Sequence, residues 1–184
     1  MEHICCNLCG TDNRSPYCKV GEYIIVQCRR CGLFYTNPRR PATELSNIYS
    51  ADYFVSNDPS IIGYDDYASH AKGLRQVFSD HLALIEQYIG PPASLLDIGC
   101  AYGYFLELAA ARGWRAEGIE ISEHAARMAR KEAKVPVYNT PVAGAGLAPG
   151  SFDVATMWDV LEHSYDPAGE LSAVYQVLKP NGYL

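Results

Sequence analysis

Nowhere does the sequence run through about 18 uninterrupted apolar residues, the length a membrane-crossing helix requires, so no such helix is expected. The opening stretch MEHICCNLCG lacks the basic start and apolar run of a secretion signal, and a cytoplasmic protein is expected. Positive charge is scarce as well: 15 Lys and Arg face 21 Asp and Glu, leaving a net charge of −6. Affinity for phosphate backbones comes largely from clustered Lys and Arg, so nucleic acid is not the expected partner. Arg29, Arg30, Arg39 and Arg40 do lie close together, but a solvated face is the simpler account of so short a group. Internal repeats and low-complexity tracts are also missing. What remains is a 48% hydrophobic chain of 184 residues, enough for one full-sized domain and a small appended module.

Cysteine is present but unevenly placed. Six of the seven cysteines fall within the first 31 residues, and Cys100 stands alone. An odd, locally crowded set without a secretion signal favours metal binding over a disulfide framework. Cys6-Asn7-Leu8-Cys9-Gly10 and Cys28-Arg29-Arg30-Cys31-Gly32 are two C-x-x-C-G knuckles with 18 residues between Cys9 and Cys28. Each offers two thiolates from one tight turn, and two knuckles close a tetrahedron, so Cys6, Cys9, Cys28 and Cys31 are the expected ligands of a structural Zn²⁺. Iron held by four thiolates, or a redox dithiol, is the alternative. Cys5 and Cys18 are left over as bystanders, and His3 is a weaker ligand candidate.

Composition divides the chain into a Cys-rich module over 1–38, a turn-rich linker with short helical turns over 39–66, and a domain over 67–184 in which apolar runs alternate with helical patterns. Helical spacing of Leu74, Val77, Phe78, Leu82, Ile85 and Ile89 predicts a helix stopped by Gly90. Strands are expected at Ser94–Ile98, Arg115–Glu120, Val135–Asn139 and Phe152–Trp158. Helices are expected from Tyr104 to Arg112, from a Ser122 cap to about Ala133, and from an Asp166 cap with Pro167 at its first position. Pro180-Asn181-Gly182 should end the last helix, with Tyr183-Leu184 starting a fifth strand. Alternation of this kind predicts an α/β fold with a mostly parallel sheet and helices on both faces.

The segment Leu95-Leu96-Asp97-Ile98-Gly99-Cys100-Ala101-Tyr102-Gly103 places a glycine turn between the first of these strands and its helix, at the sheet edge where open α/β folds bind ligands. It fails the dinucleotide fingerprint G-x-G-x-x-G, because Ala101 stands at the second glycine and Tyr104 at the third. The segment resembles motif I of the class I S-adenosylmethionine-dependent methyltransferases, D-x-G-x-G-x-G, with Ala101 at the middle glycine. Glu120, Ser151-Phe152-Asp153-Val154, Trp158-Asp159-Val160-Leu161-Glu162-His163 and Leu178-Lys179-Pro180-Asn181-Gly182 resemble the family's later motifs, in the family's order. Tyr35-Thr36-Asn37-Pro38, Tyr64 and Tyr67 are similar to a subset with an N-terminal zinc module.

The resemblance implies a Rossmann-like methyltransferase sheet, here incomplete at four to five strands, behind a small zinc ribbon. It implies that Asp97 orients the methionine end of S-adenosylmethionine, that Glu120 holds the ribose hydroxyls, and that Gly99, Ala101, Gly103, Ile121 and Asp159 lie along the cofactor. Tyr67, Tyr102 and Trp158 are expected to line the pocket. Where many members carry an acid for the adenine amine, this chain has Asn139-Thr140-Pro141-Val142. His163 is the candidate base, with helix capping or packing as the competing reading. Cys100 is expected to be buried in the loop. Either the sequence is truncated or a partner replaces the remainder, and an isolated fragment of this kind can self-associate through the unpaired edge of its last strand. A small-molecule acceptor, such as a sugar or a biosynthetic intermediate, is preferred. The alternatives are a non-catalytic cofactor-binding, partner-recruiting module and a nicotinamide-dependent oxidoreductase.

Overall fold

The computed structural model describes residues 1–45, 54 and 67–184, which form two sheets. The first is antiparallel, with β1 (Arg14–Val20), β2 (Tyr23–Cys28) and β3 (Phe34–Thr36) in sequence order. These three strands are additional to those expected from the sequence. Gly21, at φ +58°, opens a two-residue turn that lets Val20 pair with Tyr23, the position where hairpins require positive φ. Only Cys6, Val26 and Cys28 are buried apolar residues among those described in 1–45. So small a core needs a staple to hold its fold.

Chain outside the strands includes a single turn, α1 (Ala42–Leu45), which falls in the expected linker; the rest of that linker, with Tyr64, lies largely outside the described residues. No helix among the described residues is long and apolar enough to cross a membrane.

The second sheet is parallel and five-stranded, in the order β6 (Val137–Tyr138), β5 (Arg115–Ile119), β4 (Ser94–Ile98), β7 (Phe152–Thr156), β8 (Leu178–Tyr183). All five residues of β4 are buried, as a central strand covered on both faces must be. Alternation then sorts them. Leu95 packs with Leu82, Phe105, Leu106 and Ala109 on one face, and Leu96 and Ile98 pack with Val174 and Val177 on the other. Truncating Leu95 or Leu96 to Ala would cost about 2–5 kcal/mol.

Helices α2 (Ala71–Ile89), α3 (Tyr104–Ala111), α4 (Glu123–Ala133) and α5 (Pro167–Val177) cover these faces. The expected caps are in place: the Ser122 side chain accepts from the Ala125 amide and the Asp166 side chain from the Gly169 amide. Helix α4 buries only alanines, Ala125, Ala126, Ala129 and Ala133, which lets α3 come close. Gly103 stands at that approach, where a β-carbon would sit 3.0 Å from the Ala129 backbone.

Several boundaries differ from the sequence expectation. Strands β5, β6 and β7 are shorter, ending at Ile119, Tyr138 and Thr156. The fifth strand begins at Leu178 rather than Tyr183. Its register with β7 passes from Phe152–Leu178 to Val154–Tyr183, so Lys179-Pro180-Asn181-Gly182 bulges out opposite Asp153. Asn181 takes φ +65° within the bulge, and Lys179 Nζ reaches Asp153 Oδ2 at 2.8 Å. The turn expected from Pro-Asn-Gly is thus present, folded into the strand.

Candidate functional site

The carboxyl ends of β4, β5 and β7 open on a cavity of about 650 Å³ at the point where strand order reverses between β4 and β7. Of the residues singled out in the sequence, Tyr67, Asp97, Gly99, Cys100, Ala101, Glu120, Ile121, Trp158, Asp159 and His163 all line it. Gly103 and Tyr102 do not. Tyr102 is buried against Phe54 and Tyr67 and shares a hydrogen bond with His124 Nε2 at 3.0 Å, so it supports the wall from behind.

Glu120 organises the loop. One carboxylate oxygen accepts the Ala101 amide at 2.9 Å and the other accepts the Ser122 amide at 2.8 Å. The Gly99 and Cys100 amides both donate to the Ile119 carbonyl, at 2.8 and 3.0 Å, so the loop after β4 is sewn to the end of β5. Gly99 (φ +71°) carries no β-carbon because one would collide with the Val160 side chain. Ala101 accepts a left-handed conformation, φ +46°, that costs about 1 kcal/mol without glycine.

Burial lifts the Glu120 carboxyl above its ordinary range, and amides of Ser122, Ala101 and Ile121 pull it back. Asp97 is fully enclosed. Burial pushes its carboxyl up to about 7, the hydrogen bond from Thr156 opposes this, and the Glu120 charge adds to it. Thr156 Oγ1 donates to Asp97 Oδ1 at 2.7 Å. Cys100 is buried with its thiol pushed well up by burial, which leaves it no nucleophile.

Two contributors, Thr156 and His81, are not singled out by the sequence, and two that are, Val160 and Asn139, take roles it does not reveal. Thr156 pairs with Asp97 only because β7 lies beside β4 in register. Val160 fills the space above Gly99. Asn139 Nδ2 donates to the Glu120 and Ile121 carbonyls at 2.8 and 2.9 Å, tying β6 to β5. His81 of α2 stacks on Trp158, with ring centroids 4.3 Å apart and planes at 21°. Trp158 Nε1 and His81 Nδ1 are buried without a hydrogen-bond partner among the described residues.

His163 is exposed at the cavity mouth, on a 3-10 turn over Leu161–His163. The residues after it, Ser164, Tyr165 and Asp166, line the same mouth.

In the N-terminal module the four knuckle sulfurs lie within 4.8 Å of one another, with Cys6–Cys31 and Cys9–Cys28 each at 3.5 Å. A tetrahedral Zn²⁺ with bonds near 2.3 Å sets its sulfurs about 3.8 Å apart, so the cluster fits the ion. The knuckles match in detail: Gly10 donates to the Cys6 carbonyl at 2.8 Å, and Gly32 to that of Cys28 at 3.0 Å. Amides of Cys31 and Arg30 draw the Cys28 thiol down to about 6. Cys31, favoured as a thiolate by the Leu33 amide, is nonetheless pushed up to about 12 by burial and the neighbouring sulfurs. A metal ion bound here would displace the thiol protons and offset the mutual repulsion of four thiolates held this close. Cys5 and Cys18 are exposed and outside the cluster.

Comparison with known proteins gives a consistent picture. Residues 67–184 match the family described as "Methyltransferase domain". The chain is 33% identical over 128 residues to the ubiquinone biosynthesis O-methyltransferase of Leptothrix cholodnii, covering 65% of this chain and 54% of that one. It is 38% identical over 96 residues to the enzyme of the same name from Ralstonia nicotianae, covering 49% and 40%. The chain therefore spans about half the length of the curated relatives it matches. Among solved structures, a Methanococcus maripaludis protein assigned to the S-adenosyl-L-methionine-dependent methyltransferases superposes with a TM-score of 0.54 at 17% identity, covering 62% of this chain and 60% of that one. The PH0226 protein of Pyrococcus horikoshii gives 0.50 at 25% identity, covering 76% and 59%.

Proposed function

The chain belongs to the methyltransferase-domain family across residues 67–184, and on that premise we propose that its cavity takes S-adenosylmethionine and that the protein passes a methyl group to a small-molecule hydroxyl. Bound there, the cofactor would supply a methyl group already activated on a sulfonium. The chain's own task is to align the reactants and exclude water, which can contribute several kcal/mol through proximity alone.

The observation that carries this reading is the Glu120 carboxylate at the end of β5. Each of its oxygens holds one backbone amide, and a carboxylate offers about four lone-pair sites. One site on each oxygen is left for a pair of adjacent ribose hydroxyls. Asp97, fixed by Thr156 beneath the loop, is assigned to the methionine end. Asn139 spends its amide group on two carbonyls, so we assign the adenine to apolar contact with Ile121 and Val142, both on the cavity wall. Tyr67, Trp158 and Asp159 are assigned to the remaining wall, and His163 at the mouth is assigned as the base that takes the acceptor's proton.

For the Cys6, Cys9, Cys28 and Cys31 cluster we propose a structural Zn²⁺, since four thiolates leave no open coordination position. The small core of the module supports this, because metal binding supplies folding energy that the packing lacks. Hydroxyl acceptors are preferred because the relatives named above are O-methyltransferases.

Incubation with methyl-labelled cofactor and a panel of catechols and hexose derivatives tests the reading. Label is expected in an acceptor, with S-adenosylhomocysteine as co-product. Cofactor binding without label transfer to any acceptor would instead favour a non-catalytic binding module.

A further inference from the structure

Both ends of the cysteine module converge on the loop that carries His163. Glu2 and Arg39 pair backbone to backbone in both directions, at 2.7 and 2.9 Å, closing the module just before α1. From that closure Arg39 reaches across to the second domain. Its guanidinium carbon lies 3.5 Å from the centroid of the Tyr165 ring, and Nη1 donates to the Tyr165 carbonyl at 2.6 Å. Arg39 Nε donates to Glu2 Oε1 at 3.1 Å, and the Tyr165 hydroxyl donates to the same Glu2 oxygen. Those bonds hold the Glu2 carboxyl below its usual range, the Tyr165 hydroxyl most and Arg39 next. Ala42, three residues beyond Arg39, lines the cavity together with Tyr165 and His163.

We propose that Arg39 is a positioning residue through which the thiolate cluster sets the shape of the cavity mouth. One guanidinium makes a stacking contact, a charge-assisted bond to a loop carbonyl and an ion pair to the far end of its own module. Lysine offers a single point charge and lacks the planar fork, so it cannot reproduce all three. Within the loop over Leu161–Asp166 the described backbone bonds are short-range, His163 to Val160 and Ser164 to Leu161 at 2.9 and 3.1 Å, and only its last residue, Asp166, is tied onward, to Glu170 and Gly169 of α5. With Asp166 anchored to α5, the placement of the loop before it depends on what grips Tyr165. Ordering of the module by its metal is passed through Glu2 and Arg39 to that grip. The inference rests on the metal reading of the cluster and not on which molecule the cavity takes.

Hydrogen–deuterium exchange on the full chain tests it, comparing the peptide over 161–166 with peptides of α3 and α4. Arg39→Ala is expected to raise exchange in 161–166 about ten-fold, the size of losing one charge-assisted bond, with α3 and α4 unchanged. Arg39→Lys is expected to recover only part of that protection. Removing metal from the native chain with a chelator should raise exchange in 161–166 to the Arg39→Ala level, while adding little in the variant itself. Tyr165→Phe, which keeps the ring and removes only the Glu2 bond, should raise exchange a few-fold and serves if Arg39→Ala fails to fold. Unchanged exchange in 161–166 in the variants, or an equal rise on chelation with and without Arg39, would overturn the proposal.

Discussion

The amide of Ala101 donates to the carboxylate of Glu120 at 2.9 Å, joining the middle of the glycine turn to the end of the neighbouring strand. The contact explains why a residue with a β-carbon is held at φ +46°, because releasing it would leave a buried carboxylate short of a donor. Ala101→Gly is expected to keep the contact and change stability by no more than about 1 kcal/mol, in the stabilising direction as strain is relieved. Ala101→Val should destabilise by more than about 2 kcal/mol. Thermal unfolding of both variants checks the ordering.

Asp97 should respond to pH with opposite signs in folding and in cofactor binding. Its folded carboxyl sits near 7, above the ordinary 3.8, so the stability it contributes is complete below about pH 4 and is lost as pH rises through about 7. Binding that needs the carboxylate should instead weaken as pH falls through 7, about five-fold between pH 7 and pH 6. Asp97→Asn, which still accepts from Thr156, is expected to flatten both profiles. Unfolding and calorimetric titrations between pH 5 and 8 measure them.

For the thiolate cluster, elemental analysis should give one zinc per chain. Cys9→Ser should lose most of that zinc, whereas Cys5→Ser and Cys18→Ser should retain it. Iron in place of zinc, or equal loss in all three variants, would refute the assignment of Cys6, Cys9, Cys28 and Cys31.

His81 and Trp158 each bury an unpartnered ring nitrogen while their rings stack. Replacing His81 by Phe keeps an aromatic ring and removes one of those nitrogens, so stability should rise by about 1 kcal/mol. Chemical denaturation reads this directly.

Replacing His163 by Ala should lower methyl transfer to a hydroxyl acceptor by about 10²–10⁴-fold, the range for a general base, with cofactor affinity unchanged. Full turnover in the variant would return His163 to a packing or capping role.

Much of this was legible in the sequence where chemistry is local. The C-x-x-C-G spacing named the four sulfurs that now lie within 4.8 Å, and Ser122 and Asp166 announced the helix starts they cap. Asp97 and Glu120, 23 positions apart, were marked by their places at strand ends. What stayed hidden depends on which strands and modules become neighbours. Thr156 is silent until β7 pairs with β4, and Arg39 has no visible partner until the module closes onto Tyr165, 126 positions away. Strands β1 to β3 lack an alternation of apolar and polar residues: β1 is mostly exposed, and β2 opens on the unbroken apolar run Tyr23-Ile24-Ile25-Val26, of which only Val26 is buried. The bulge in β8 hid a strand inside what reads as a turn.

The central claim is that the Glu120 edge of the cavity holds S-adenosylmethionine, and calorimetric titration with S-adenosylhomocysteine tests it most directly. The account predicts binding of one molecule per chain, weakened at least about 30-fold by Glu120→Gln, which loses one amide bond and sets a donor against a donor. Equal affinity in the variant, or no heat with S-adenosylhomocysteine and a clear signal with a nicotinamide dinucleotide, would contradict it.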